Sequence, residues 1–269
     1  MKLLKSFKSG KLNVRIYDKC REMGDCAAKD VVETIKSLLE KQEQVNAIFA
    51  AAPSQLDMLD ALTKAEGVDW GRVNAFHMDE YIGLDADAPQ GFGNFLKSNL
   101  FSKLLFKSVQ YIDSAPKNPE AECARYAQIL KDNPADIVCM GIGENGHIAF
   151  NDPHVAFFDD PQLVKTVELD EKCRTQQVND GCFEHLDEVP KKATTLTIPA
   201  LINAKFIFCV VPGRLKRKAV FDTVRGEITT ACPASILQTK PNATLYTDKE
   251  SGWDILFRKS ISASQRPHG

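Results

Sequence analysis

The chain lacks an apolar run long enough to span a membrane, a Cys-x-x-Cys pair, and a surplus of positive charge. A spanning helix needs about 20 consecutive apolar residues, so no membrane association is expected. The start, Met1 to Gly10, is basic but has no apolar stretch and no small-residue cleavage site, which fits a soluble, cytoplasmic protein rather than an exported one. Lys and Arg number 34 against 36 Asp and Glu, leaving a net charge of -2 and a pI near 6.2. The basic cluster Arg214, Lys216, Arg217, Lys218 is too short to track a phosphate backbone, so nucleic acid is not an expected partner. Eight cysteines are scattered along the chain, two of them in apolar strand-like runs, which is the pattern of reduced, buried thiols. No disulfide framework and no metal site is expected from that spacing. No internal repeat and no linker appears, so residues 1–259 are expected to form a single domain, with 260–269 as a polar tail.

With 269 residues and 43% hydrophobic content, the chain can bury a large core. Short apolar runs at Val14–Tyr17, Val45–Ala51, Val73–Phe76, Val109–Ile112, Ile137–Met140, Phe206–Val211 and Ala243–Tyr246 read as strands. Amphipathic segments near Lys19–Lys41, Met58–Lys64, Pro119–Lys131 and Leu215–Val224 read as helices between them. This alternation predicts an α/β fold with a mainly parallel sheet and helices on both faces, whose ligands sit beyond the carboxyl ends of the strands. The loops after Ala52, Phe76 and Met140, with the turn at Pro212-Gly213, are therefore the ones to inspect.

The most informative of them is GIGENGHIAFNDP, from Gly141 to Pro153. An apolar strand that ends in Gly-x-Gly can turn sharply and let Gly143 approach a ligand closely, because glycine has no Cβ. His147 and Asp152 then stand where a parallel sheet places its chemistry. A second loop reads FHMDEYIGL, Phe76 to Leu84. Adjacent Asp79 and Glu80 at a strand end must point different ways, so one can face a ligand while the other anchors the loop. Apolar Met78 and Tyr81 beside them would desolvate a carboxylate and raise its pKa toward that of a useful base. His77, beside this pair, is expected to have a structural role. A third loop reads FAAAPSQLDML, Phe49 to Leu59, where a helix beginning near Ser54 offers free N–H groups to an anion, with Ser54 and Gln55 as side-chain donors, or simply carries a Pro-Ser cap.

In order and spacing, Phe76–Leu84, Gly141–Pro153, Gly213–Ala219 and the late run PASILQ, Pro233–Gln238, resemble the glucosamine-6-phosphate deaminase (isomerase) family. The resemblance spans about Leu12 to Asp248. It implies a doubly wound, Rossmann-like fold and conversion of an amino-sugar phosphate to a ketose phosphate with release of ammonia. The 6-phosphogluconolactonases share that fold and a similar glycine-histidine loop, but the MDEY form here resembles the deaminase branch. The resemblance makes Asp79 the base that moves a proton between C1 and C2, and His147 the group that opens the sugar ring. It implies that the residues two before and five after the histidine tune the imidazole, and these are Asn145 and Asp152 here. Asn145 replaces an acid and can orient without supplying charge, whereas Asp152 keeps the charge on a shorter side chain.

The phosphate end departs further from the family. Its usual glycine-threonine loop is replaced by the Phe49–Leu59 sequence, and its arginine by Asp180 and Gly181 in VNDGCF. Lys216 matches the phosphate-binding lysine, and Arg174 stands near enough in sequence to replace the arginine. Substrate contacts are thus expected from Ser54, Gln55, Glu80, Gly143, Lys216 and Arg174, the partner being a small phosphorylated sugar. No metal or organic cofactor is implied, because aldose-ketose proton transfer needs only a carboxylate and an electrophile. The resemblance leaves room for a homo-oligomer. A lactonase-like hydrolase, which would need His147 but not Asp79, and a non-catalytic sugar-phosphate sensor are the alternatives.

Overall fold

A computed structural model describes residues 2–257. In chain order its elements are β1 (Leu3–Ser9), β2 (Leu12–Tyr17), α1 (Cys20–Leu39), β3 (Val45–Phe49), α2 (Leu56–Thr63), β4 (Val73–His77), β5 (Asp79–Tyr81), α3 (Phe92–Leu96), β6 (Ser108–Gln110) and α4 (Pro119–Asp132). They continue with β7 (Ile137–Met140), β8 (Val164–Glu168), α5 (Glu171–Asn179), β9 (Lys192–Leu196), α6 (Ile198–Ile202), β10 (Phe206–Val211), α7 (Arg217–Arg225), β11 (Ala243–Asp248) and α8 (Trp253–Phe257). The main sheet has eight strands in the order β1-β2-β11-β10-β7-β3-β4-β6, parallel throughout except for β1 at the edge.

Its central strands are covered on both faces, which is why they read as continuous apolar runs. Along β3, Val45, Ala47 and Phe49 join the core that holds Met23, Ala27, Val31 and Ile35 of α1, while Ile48 turns to the opposite core. In β7, Ile137 and Cys139 face the first core, and Val138 and Met140 the second, with Tyr126 and Leu130 of α4 and Val220 and Val224 of α7. Period-two alternation thus sends side chains into two cores, and the four-residue spacing on α1 supplies one stripe to match.

Three elements depart from the sequence expectation. The basic start forms β1, hairpinned to β2, and its Lys5 and Lys8 lie on an edge where charge discourages pairing with another chain. A second sheet of three antiparallel strands, β5-β9-β8, stands beside the first. Helix α5 is polar all round, so hydrophobic periodicity gave no sign of it. The polar tail expected at 260–269 lies outside the described residues.

Candidate active site

β3 and β7 are neighbours, yet the chain leaves them in opposite directions, from β3 to β4 and β6 and from β7 to β10 and β11. Such a reversal opens a crevice at the strand ends, because the two loops cannot cover the same ground. An open cleft lies there. Ser54 and Gln55 line it from the loop after β3, Met78 and Asp79 from the start of β5, and Gly141, Gly143, His147 and Phe150 from the loop after β7. Gln176 and Gln177 enter from α5, and Lys216 from the turn after β10.

His147 is held from several sides. A Cβ on Gly143 would lie 2.1–2.4 Å from three ring atoms, so the imidazole rests directly on that glycine's backbone. Its Nδ1 is 3.0 Å from Asp152 Oδ1, although the approach is too bent for a well-aligned hydrogen bond. The His147 backbone N–H donates to Asn145 Oδ1 at 3.1 Å, and Asn145 Nδ2 donates to Asp152 Oδ1 at 2.9 Å. Burial pushes the Asp152 carboxyl up, but His147, Asn145 and the Asp170 N–H together hold it below the usual carboxylate range. Asp152 is fully buried and ionised, and so is poised to stabilise an imidazolium at His147. Cys173 also reaches this pair, with one donor atom each from His147, Asp152 and Cys173 within 4.8 Å, a set that could in principle hold a cation. Burial drives the Cys173 thiol well up, however, and Asp152 already accepts N–H donors on both oxygens, so the cluster favours hydrogen bonding over metal ligation.

The two adjacent carboxylates divide their roles by strand alternation. Asp79 faces the cleft at 6% exposure, and burial, reinforced by Glu80, raises its pKa well above the usual value. Glu80 faces away and accepts from the backbone N–H groups of Tyr81 and Phe92 at 2.9 Å and of Gly93 at 2.8 Å. The expected substrate contact from Glu80 is therefore corrected to an anchor for β5 and the start of α3. His77, fully buried, accepts at Nε2 from the Ile112 N–H (2.8 Å), which leaves Nδ1 to donate to Asp79 O (3.0 Å). Burial lowers its pKa to about 4, in keeping with a structural role.

At the opposite end of the cleft Lys216 is buried and has no carboxylate within ion-pair distance among the described residues. Burial pulls its pKa down, and Asp180 and Glu144 pull partly back. Positive φ at Gly213 makes the turn that delivers it, with the Gly213 N–H donating to Asp248 Oδ1 at 3.1 Å. Ser54 lines the cleft but caps no helix: the turn Pro53–Gln55 has no side-chain cap. Gln55 also needs correction. Its Nε2 already donates to Val210 O at 3.0 Å and to Ser54 Oγ at 3.2 Å, so the group left over is the acceptor Oε1, buried and unpartnered. Flipping the amide would set oxygen against the Val210 carbonyl, so the network fixes the orientation. Arg174 does not reach the cleft, because its guanidinium donates to Leu186 O and to Val189 O at 3.0 Å, closing the turn after α5. Asp180 and Gly181 line an adjoining chamber with Pro89, Phe95 and Cys182. What sequence reasoning missed is the contribution of α5, where the doublet Gln176-Gln177 was the one visible trace.

Residues 18–246 match the family model for glucosamine-6-phosphate isomerases and 6-phosphogluconolactonase. A glucosamine-6-phosphate deaminase of Lactobacillus delbrueckii subsp. bulgaricus is 40% identical over 201 residues, 75% of this chain and 83% of the relative. Among solved structures, a monomeric glucosamine-6-phosphate deaminase superposes with a TM-score of 0.81 at 27% identity, covering 89% of this chain and 98% of its own. The 6-phosphogluconolactonase of Thermotoga maritima reaches 0.70 at 19% identity over 88% of this chain and 99% of its own, a likeness of fold alone.

Proposed function

The chain belongs to the family of glucosamine-6-phosphate isomerases and 6-phosphogluconolactonases, and we propose that its cleft carries out the deaminase reaction, from a 2-amino-2-deoxyhexose 6-phosphate and water to a ketose 6-phosphate and ammonia. The observation that carries this reading is Asp79, a desolvated carboxylate in the same cleft as His147. A lactone hydrolase needs a group that activates water and has no use for a second, desolvated base.

The cyclic sugar must first open, which takes a proton from the anomeric hydroxyl and gives one to the ring oxygen. His147, backed by ionised Asp152, is the group placed for that exchange. In the open chain the carbonyl at C1 makes the C2 proton acidic, and Asp79 removes it while a proton of the C2 ammonium passes to O1, which gives an enolamine. The same carboxyl returns its proton to C1, leaving an iminium at C2 that water hydrolyses to the ketone with loss of ammonia. Burial suits Asp79 to this shuttle, since a raised pKa makes its carboxylate a stronger base and its acid a ready donor. Lys216 and the Ser54 hydroxyl hold the phosphate, and the free acceptor of Gln55 takes a substrate hydroxyl or ammonium proton. The compartment we propose is the cytoplasm, where all eight cysteines stay free. No helix among the described residues is long and apolar enough to cross a membrane.

Ammonia release from glucosamine 6-phosphate, measured beside hydrolysis of 6-phosphogluconolactone, tests the reading. Ammonia release that is lost in Asp79→Asn is the expected result. Lactone hydrolysis without ammonia release overturns it in favour of the hydrolase, and binding without either activity in favour of a sensor.

A further inference from the structure

We infer that Asp170 is a positioning residue, which couples the helix lining the cleft to the hydrogen-bonded loop that carries His147 and to the Asp152 carboxylate beside its ring; this rests on the deaminase reading above. Asp170 stands just before α5 and makes three contacts that reach in two directions. Its Oδ1 accepts from the Cys173 N–H at 2.6 Å, capping the helix. Its Oδ2 accepts from Asn145 Nδ2 at 3.3 Å, and its own N–H donates to Asp152 Oδ2 at 3.3 Å.

An ordinary cap satisfies helix N–H groups and nothing more. Here the second carboxylate oxygen is turned onto the amide that orients His147. Asn145 Nδ2 thereby meets two carboxylates, Asp152 and Asp170, and this sets the face of the amide: its oxygen has to point the other way, toward the backbone N–H of His147, which fixes the loop from which the imidazole projects. Asp152 receives the Asp170 N–H on the oxygen that His147 does not approach, so its carboxylate cannot rotate freely under the imidazole. Six residues further on, Gln176 ties the same helix to the same loop by accepting from the Glu144 N–H at 2.8 Å. Helix α5 and the 141–153 loop are therefore tied together at several points, and the helix places Gln176 and Gln177 in the cleft. A substrate that seats against those glutamines is read at His147 through Asp170.

Replacing Asp170 with Ser separates the two roles. Serine is among the best N-cap residues and keeps the helix, but it is too short to reach Asn145. For Asp170→Ser we expect kcat with glucosamine 6-phosphate to fall by about tenfold or more, the scale seen when a partner that orients a functional group is lost. KM should stay within about twofold, since Lys216 still holds the phosphate. In an Asn145→Ala background the same substitution should change kcat by less than about twofold, because the amide it orients is gone. A wild-type kcat in Asp170→Ser, or an equal loss in both backgrounds, overturns the inference. The ring 15N signals of histidine-labelled protein give a readout that needs no substrate. Those of His147, assigned with His147→Gln, should move in Asp170→Ser while those of His77 stay. Unmoved His147 signals overturn the coupling even if the wild-type protein releases no ammonia, a result that would by itself sink only the deaminase reading. If Asp170→Ser folds poorly, Asp170→Asn keeps a cap acceptor while turning N–H toward the Asn145 N–H, and the same outcomes apply.

Discussion

Asn145→Asp restores the acid that the family resemblance leads one to expect beside the histidine, and the structure predicts that it does harm. Asn145 Nδ2 lies 2.9 Å from Asp152 Oδ1 and 3.3 Å from Asp170 Oδ2, so a carboxylate there would face two others. Two unit charges about 4 Å apart repel by roughly 4 kcal/mol at an effective dielectric of about 20. Two hydrogen bonds to charged acceptors, each worth about 1.5–3 kcal/mol, are exposed to the same change. A penalty of 4 kcal/mol corresponds to about 3 pK units, so the new side chain would bind its proton far more tightly when folded than when unfolded. The sign follows directly. A carboxyl whose folded pKa is raised leaves stability intact below its unfolded pKa, about 4, and loses it as pH rises through the folded value. While protonated, the new side chain can still donate to Asp152 and accept from the His147 N–H, much as asparagine does. The variant should therefore match wild type in Tm only near pH 4 and below, lose stability steadily from there toward pH 8, and keep near wild-type turnover at pH 5 but fall behind toward pH 8. Differential scanning calorimetry across pH 4–8.5 and ammonia release across pH 5–8.5 measure this. A variant as stable as wild type at pH 8 and faster on a closed-ring substrate would refute the argument. It would mean that Asn145 weakens His147, as the sensor alternative requires.

Asp79→Asn should lower turnover by about 10²–10⁴ while leaving sugar-phosphate binding nearly unchanged by calorimetry. It should also raise Tm above neutral pH, because burial lifts the folded pKa of Asp79 well above normal and the wild-type protein loses stability as pH rises through that value. An unchanged Tm at pH 8 would show that Asp79 is not desolvated. Lys216→Ala should raise KM for a phosphorylated sugar by roughly 10- to 150-fold, the equivalent of about 1.5–3 kcal/mol, and barely affect its unphosphorylated counterpart. Equal losses for the two would place the phosphate elsewhere. Gly143→Ala puts a methyl 2.1–2.4 Å from the His147 ring and must displace it. It should depress kcat by at least about tenfold with KM little altered, and a crystal structure should show the imidazole swung off the backbone. An unmoved ring would refute that account.

The central strands were legible because they are buried on both faces, and runs such as Val45–Phe49 and Ile137–Met140 allow no other reading. The 141–153 loop was legible for a local reason: Gly143, Asn145, His147 and Asp152 are close in sequence, and backbone turns alone bring them together. Strand β5 was not legible. It has three residues, and its pairing with β9 joins Asp79 to Thr195, far along the chain. Helix α5 has no apolar stripe, since it is held by its cap and by polar ties to the neighbouring loop.

By itself, the sequence determined the α/β alternation, the two crucial loops, and Asp79 and His147 as separate chemical candidates, because each of these rests on composition or on neighbours along the chain; only the family resemblance joined the two in one reaction. The tertiary structure decided which way polar groups face. Glu80 turned out to bind three backbone N–H groups, Gln55 to spend its donors on Val210 and Ser54, and Arg174 to close a turn. Such choices depend on which unpaired carbonyl or N–H lies within about 3 Å. Apart from the adjacent Tyr81 and Ser54, those partners come from other segments that only the folded chain brings near, and a buried polar group left without one is too costly to keep.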